Sequence, residues 1–273
     1  MTTIKSKEYT RMNPTVWLVG AGPGDPELLT LKAARVLSQA EIVMVDDLVN
    51  PEILEHCPQA RLIRVGKRGG CRSTPQAFIN RLMLRYGRQG KRLVRLKGGD
   101  PCIFGRAGEE AQWLRERGVE SEIINGITAG LAGATQCGIP LTLRGVSRGV
   151  TLVTAHTQDD SELNWQGLAQ GGTTLVVYMG VARLQQIQQG LLNGGMPAST
   201  PIAMIEQASS PQQRQHTCRL DELCEQAAAF KLQSPAVLVI GEVVAAVAVT
   251  KFSAISNLEN QPEHLSDVSN SYA

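Results

Sequence analysis

A short apolar run, Val16-Trp17-Leu18-Val19, ends directly in Gly20-Ala21-Gly22-Pro23-Gly24-Asp25-Pro26. That junction limits the possible folds more than any other stretch of the chain. Four apolar residues without alternation suit a parallel strand covered on both faces. The glycines allow a tight turn, Asp25 or Thr30 can cap a following helix, and Pro26 fits a first helical turn. Leu29, Ala33, Val36, Leu37 and Ala40 recur at helical spacing, and Glu41 to Asp46 reads as a second strand. The chain therefore opens β-α-β.

The same alternation continues. Arg61 to Val65 and Arg92 to Leu96 are strand-like, with a helical stretch from Pro75 to Tyr86 between them. A helix from Ala107 to Arg117 stops at Gly118, a left-handed cap. Val119 to Ile124 is a further strand, followed by a helix from Thr128 to Cys137. Near Leu143 to Gly149 the texture breaks into Arg, Gly and Ser, which places a domain boundary there. Beyond it, Val150–Thr154, Thr173–Met179, Pro201–Gln207 and Ala236–Ile240 read as strands, with helices over Val181–Leu192 and Leu220–Phe230. Gln212–Cys218 is expected to pair antiparallel, giving a mixed second sheet. Two α/β domains follow, over 14–143 and 148–250, with polar arms at 1–13 and 251–273 expected to be flexible.

The first loop invites comparison with the dinucleotide fingerprint, but its third glycine comes one residue too early. Asp25 also puts a carboxylate where a pyrophosphate needs bare amides. The loop therefore suits a ligand without phosphates. A second stretch, Leu96-Lys97-Gly98-Gly99-Asp100-Pro101-Cys102-Ile103-Phe104-Gly105-Arg106-Ala107-Gly108-Glu109-Glu110, again leaves a strand through glycines into Asp-Pro. If the strands are parallel, both loops open on one crevice.

Val16 to Ala33 and Arg95 to Glu110 resemble the two signatures of the tetrapyrrole methylase family, in the form carried by its members that methylate uroporphyrinogen III. The resemblance spans Pro14 to Val244. It runs on through Asp46-Asp47-Leu48-Val49-Asn50, Gly66-Lys67-Arg68-Gly69-Gly70, Gly126-Ile127-Thr128-Ala129-Gly130, Gly138-Ile139-Pro140-Leu141-Thr142, Tyr178-Met179-Gly180 and Gly241-Glu242-Val243-Val244. It implies the tetrapyrrole methylase fold, two α/β domains with the active site in the cleft between them, assembled as a homodimer. It implies S-adenosyl-L-methionine as cofactor, with S-adenosyl-L-homocysteine as its product. The implied reaction is methylation of uroporphyrinogen III at C2 and C7, giving precorrin-2 via precorrin-1. Implied cofactor contacts fall on Pro23, Gly98, Gly99, Asp100, Thr128, Ala129, Met179, Ala208 and Ala236. Leu48, Phe104, Arg106, Glu109, Arg144, Tyr178 and Met179 are implied to lie against the macrocycle.

The chemistry of that substrate makes sense of the arginines, because their planar fork binds carboxylates bidentately. Arg106, Arg144 and Arg148 are the candidates, with Lys67, Arg68 and Arg72 as a second basic cluster. Methyl transfer from a sulfonium needs no protein nucleophile, only alignment and charge stabilisation. One base is needed for a departing meso proton, and Asp46 and Glu109 are the candidates by residue type. Arg106 is placed centrally by the resemblance, but a guanidinium stays protonated, so its expected role is to hold a carboxylate. Glu109 is expected to pair with it. Three departures from the family pattern stand out. Ala107 replaces a glycine pair and stiffens its turn, and Leu143 interrupts what is usually Thr-His-Arg, so the histidine expected beside Arg144 is missing. Asp47 follows Asp46 and can alter its titration if both face inward.

The remaining composition excludes other classes. A formal net charge of +2 and 4% aromatic residues point to no nucleic-acid or membrane partner. No apolar run reaches the ~20 residues of a membrane span, and Met1 to Glu8 lacks the apolar core of a signal peptide, so a cytoplasmic protein is expected. Six cysteines are dispersed without a C-x-x-C pair, so no metal site is expected and buried reduced thiols are. The alternatives are a methyltransferase acting on a later precorrin, a nicotinamide dehydrogenase using the first loop, and a non-catalytic tetrapyrrole carrier.

Overall fold

The computed structural model describes residues 15–66, 74–156 and 163–246. The arms at 1–13 and 251–273, and the cluster Lys67, Arg68 and Arg72, lie outside the described residues. The first sheet is made of β1 (Val16–Gly20), β2 (Ile42–Val45), β3 (Arg61–Arg64), β4 (Leu93–Lys97) and β5 (Ser121–Ile124). Its order is β3-β2-β4-β1-β5 and every neighbouring pair is parallel.

That order follows from the handedness of crossovers. From β1 the chain steps past β4 to β2 and on to β3, then reverses, returning to β4 and passing β1 to reach β5. Right-handed crossovers in opposite directions place their helices on opposite faces. Helix α1 (Leu31–Leu37) therefore packs with Val19, Val43, Val94 and Leu96 on one face. Helices α2 (Gln76–Arg88) and α3 (Ala107–Arg115) pack with Leu18, Met44 and Leu93 on the other. The two glycine loops leave β1 and β4, neighbours whose following helices diverge, which is where an α/β sheet opens a crevice.

Both candidate caps are used, each by its own element. Asp25 accepts from the Glu27 amide at 2.9 Å to start a 3-10 turn at Pro26–Leu28, and Thr30 accepts from the Ala33 amide at 3.2 Å to start α1. Gly118 is left-handed, at φ 77°. The expected burial of all thiols is corrected: Cys57 and Cys137 are buried, but Cys102 is exposed on the turn after Pro101, where no helix or strand covers it.

The second sheet contains β6 (Val150–Thr154), β7 (Thr174–Tyr178), β8 (Pro201–Glu206), β9 (Arg214–Arg219) and β10 (Ala236–Ile240), in order β6-β7-β10-β8-β9. Only β6 and β7 are parallel, so the sheet is mixed as expected. One face carries α5 (Trp165–Gln170), α6 (Leu184–Asn193) and α7 (Leu223–Phe230). The periodicity did not reveal α5, six residues held in place because the Trp165 ring lies on Gly190 of α6. The opposite face is covered by α4 (Ala129–Gln136) and α8 (Val243–Ala246). Helix α4 follows β5 in the chain, yet Ala134 and Cys137 pack with Val176, Ile205 and Val239 of the second sheet.

Tyr178, at the end of β7, fastens that crossing. Its hydroxyl lies 2.9 Å from Thr128 Oγ1 and accepts from the Gly130 amide at 2.9 Å. Its ring occupies the space a side chain on residue 130 would need. Tyr178→Phe should lower stability by about 1–2 kcal/mol, read as a lower urea midpoint with the far-ultraviolet spectrum unchanged. Gly126 faces the Gly99 carbonyl so closely that a Cβ there would overlap backbone. Gly126→Ala should therefore cost at least ~1–3 kcal/mol, and an unchanged thermal midpoint would contradict the close approach.

Candidate active site

The crevice is built first from backbone. A Cβ on Gly20 would fall 2.6 Å from both the Gly126 nitrogen and the Gly99 oxygen. Gly22 and Gly99 form a bridge, with the Gly99 amide donating to the Gly22 carbonyl at 2.7 Å. The loops after β1, β4 and β5 thus touch one another directly. The glycines were expected to allow a tight turn, and at 20 and 126 they also permit close approach between loops. Gly98 has Leu48 above it, and Gly24 lies against the backbone of Ala208 and Ser209, where a Cβ would be 3.1–3.2 Å away.

Asp100 ties this bundle together. It is buried, its Oδ1 accepts from the Cys102 amide at 2.7 Å, and its Oδ2 accepts from the Gly126 amide at 3.0 Å. Two of its lone-pair positions are therefore spent inside the protein, leaving the others for a ligand. Thr128 and Ala129 follow at the start of α4, where a Cβ on Gly99 would fall 3.7 Å from the Thr128 Cα. From the second sheet come Tyr178 and Met179 at the end of β7, Ala208 just past β8, and Ala236 opposite Glu206 at the start of β10. Pro23, Gly98, Gly99, Asp100, Thr128, Ala129, Met179, Ala208 and Ala236 therefore sit on loop and strand ends that meet around one cleft. Burial among these elements raises the ionisation of the Tyr178 hydroxyl above its ordinary range.

The cleft rim is apolar and backbone-strained. Phe104 and Met179 are exposed at 39% and 48%, unusual for such side chains unless something covers them. The Phe104 and Tyr178 rings pack against each other in a tilted pair, with centroids 5.0 Å apart. Phe104, Arg106, Met179, Gln207 and Ser209 all have φ between 48° and 65° without being glycine. Each such residue costs about 1–2 kcal/mol, and such strain concentrates at functional sites. Sequence reasoning gave no signal for Gln207 or Ser209, because nothing in a side chain announces a left-handed backbone.

Arg106 precedes α3 and is not helical, yet its guanidinium still reaches Glu109, at 3.1 Å from Nε and 2.6 Å from Nη2. The hydrogen bond to Glu109 pushes Arg106 further up and holds the Glu109 carboxyl below its usual range. Both therefore keep their charges at neutral pH. Leu48 is exposed beside the second loop. Asp46 and Asp47 diverge, which corrects the idea of two inward carboxylates: Asp46 turns to Arg95, with 3.6 Å between Oδ2 and Nη2, while Asp47 lies against Gly66. Arg144 and Arg148 are exposed on the connection between the sheets, and Arg144 has no hydrogen-bond or ion-pair partner among the described residues.

A buried ionic layer under the site was missed. Arg95 and Lys97 are both buried on β4, facing α2 and α3, where Glu110 is 1% exposed. Lys97 Nζ lies 3.3 Å from both Glu110 oxygens, and Gln76 donates to Glu110 at 2.8 Å. Burial, and then the Arg95 charge, push the Lys97 amine down, with Glu110 opposing. The available signal was the pattern Leu93-Val94-Arg95-Leu96-Lys97: two cations on one face of a strand whose other residues are all apolar.

Comparison with known proteins agrees with this architecture. Residues 15–224 match the family model described as Tetrapyrrole (Corrin/Porphyrin) Methylases. A uroporphyrinogen-III C-methyltransferase from Pseudomonas aeruginosa is 73% identical over 232 residues, 85% of this chain and 95% of its own length. The crystal structure of uroporphyrin-III C-methyltransferase from Thermus thermophilus, in complex with S-adenosylhomocysteine, superimposes with a TM-score of 0.74 at 41% identity, over 85% of this chain and 99% of that one. A cobalt precorrin-4 methyltransferase superimposes with a TM-score of 0.75 at 25% identity, over 84% and 95% of the two chains. With the fold, the paired loops and matches of this extent in agreement, the chain belongs to the tetrapyrrole methylase family.

Proposed function

We propose that this chain is a cytoplasmic, homodimeric S-adenosyl-L-methionine-dependent methyltransferase that converts uroporphyrinogen III to precorrin-2, methylating C2 and then C7 by way of precorrin-1. The observation that carries the reading is the single cleft onto which the two Gly-Asp-Pro loops, the start of α4 and the ends of β7 and β8 all open. The identity to the Pseudomonas aeruginosa relative supports the choice of substrate. No helix of the described residues is long and apolar enough to cross a membrane.

The cleft suits the cofactor. Gly20 to Pro26 and Gly98 to Cys102 contain no basic side chain, and the first glycines are filled by neighbouring backbone, so no phosphate cradle exists there. Asp100 retains acceptor capacity for an ammonium or ribose hydroxyl, and Met179, Ala208 and Ala236 offer apolar surface for adenine and sulfur. Pro23, Gly98, Gly99, Thr128 and Ala129 would complete the enclosure. When bound, S-adenosylmethionine supplies a methyl group on a sulfonium whose departure leaves a neutral thioether, S-adenosylhomocysteine.

The chain's own residues then hold the acceptor. Arg106, half-exposed at the rim and kept charged by Glu109, binds a substrate carboxylate and stabilises charge on the macrocycle. Arg144 reaches a second carboxylate from the connection between the sheets. Leu48, Phe104, Tyr178 and Met179 line the macrocycle and exclude water. As the pyrrole carbon gives its electron pair to the methyl group, a proton must leave the meso position. Asp46, at the end of β2 and part-exposed, is the carboxylate free of Arg106 and takes that proton. Glu109, with its carboxylate engaged by Arg106, orients the guanidinium.

Incubation with uroporphyrinogen III and labelled S-adenosylmethionine, followed by mass spectrometry, should show two methyl groups gained. No methyl gained, with S-adenosylhomocysteine still bound in calorimetry, would instead indicate a later precorrin as substrate; no binding of S-adenosylhomocysteine would overturn the cofactor reading. Arg106→Lys keeps a charge but loses the planar fork, so it should retain cofactor affinity while turnover falls ~100-fold. Near-normal turnover would remove Arg106 from the site's centre.

A further inference from the structure

Beneath the cleft floor lies an ionic arrangement that the proposed chemistry does not use. Arg95 and Lys97 point from β4 into the layer formed by α2 and α3, whose other neighbours are Leu18, Met44, Ile79 and Met83. Two buried cations in an apolar layer need two counter-charges. Glu110 supplies one, and it is already engaged by Lys97 and Gln76. Arg95 approaches Glu110 only at 3.7 Å through Nε, an atom that is buried and makes no hydrogen bond. Its Nη2 points the other way, to Asp46 Oδ2 at 3.6 Å. Asp46 is thus the second counter-charge. It is also the only member of the set that reaches solvent, with its side chain 35% exposed against 4% for Arg95 and 1% for Glu110.

The Asp46 carboxylate is fixed from two directions. Oδ1 accepts from the Asp47 amide at 3.0 Å, and Oδ2 faces the Arg95 guanidinium. Neither holder comes from the cleft side. Lys97 does not share this role, because its Nζ is directed at both Glu110 oxygens, at 3.3 Å from each. An apolar residue at position 95 would suit a buried parallel strand at least as well for stability alone.

We propose that Arg95 is a positioning residue that acts through Asp46, setting the orientation of that carboxylate from below so that it meets the departing proton. The proposal rests on the reading of Asp46 as the proton acceptor. Arg95 itself touches neither substrate nor cofactor. Its guanidinium sits between two carboxylates at distances too long for tight hydrogen bonds. It therefore acts as a charge wedged between Glu110 and Asp46 that ties the end of β2 to the first turn of α3, the turn that carries Glu109.

The test is a double-mutant cycle. Wild type, Arg95→Met, Asp46→Asn and the double variant are compared for kcat with uroporphyrinogen III, affinity for S-adenosylhomocysteine by calorimetry, and urea midpoint without ligand. Arg95→Met should lower kcat ~10–100-fold, with S-adenosylhomocysteine affinity within about twofold of wild type. In the Asp46→Asn background the same substitution should change kcat by less than about twofold, because its partner is gone. The urea midpoints should likewise be non-additive. Arg95→Lys, which keeps the cation but not the planar fork, should recover part of the loss, and it takes the place of Arg95→Met in the cycle if that variant does not fold. Additive losses of kcat beside an impaired Asp46→Asn would overturn the role of Arg95 alone. Full activity of Asp46→Asn would overturn the Asp46 reading and this proposal with it.

Discussion

Backbone touching backbone at the ends of β1, β4 and β5 is the contact on which the remaining architecture depends. Gly20, Gly99 and Gly126 approach so closely that no side chain fits at 20 or 126, and Asp100 binds the arrangement by accepting amides from both its own turn and the β5 loop. Parallel strands with diverging crossovers leave a gap at their carboxyl ends. Here the gap does not remain an open trough: the loops close its floor and present their outer edges as one surface. The cleft is then a shelf of loop edges facing the second sheet.

The second sheet reaches that shelf by an exchange. Helix α4 leaves the first sheet's last strand but buries its apolar side on β7 and β10, and Tyr178 answers by sending its hydroxyl back to Thr128 and Gly130. Each half therefore depends on an element that the other supplies. Left-handed backbone at Phe104, Arg106, Met179, Gln207 and Ser209 is the cost of this closure. Strain of that kind persists only where the surroundings over-determine it, and here loops from both sheets do so. Two of the residues so held, Phe104 and Met179, are the exposed apolar side chains of the rim.

Charge is organised in two levels. At the rim, Arg106 and Glu109 form an exposed pair, worth little for stability but well placed for a carboxylate-bearing ligand. Below, Arg95, Lys97, Glu110 and Asp46 form a set whose buried members are balanced only if Asp46 is counted. The lower level joins the floor of the cleft to the first turn of α3, one residue from Glu109.

Much was legible before any coordinates. Apolar runs ending in glycine marked the parallel strands, and the period of Leu29 to Ala40 marked α1, because burial on both faces and on one stripe leave different spacings. The paired Gly-Asp-Pro loops located the cleft, since strand ends in such a sheet must share one edge. Tertiary structure alone decided what those glycines are for, which was contact between loops. It also decided that α4 packs on the second sheet, that α5 exists at all against Gly190, and that Asp46 and Asp47 face apart. Those outcomes turn on partners far away in the chain, and a local pattern carries no information about a distant partner. Arg95 and Lys97 lie between the two cases: their presence on an apolar strand was visible in the sequence, but only the fold showed that one carboxylate beneath and one at the cleft were needed to balance them.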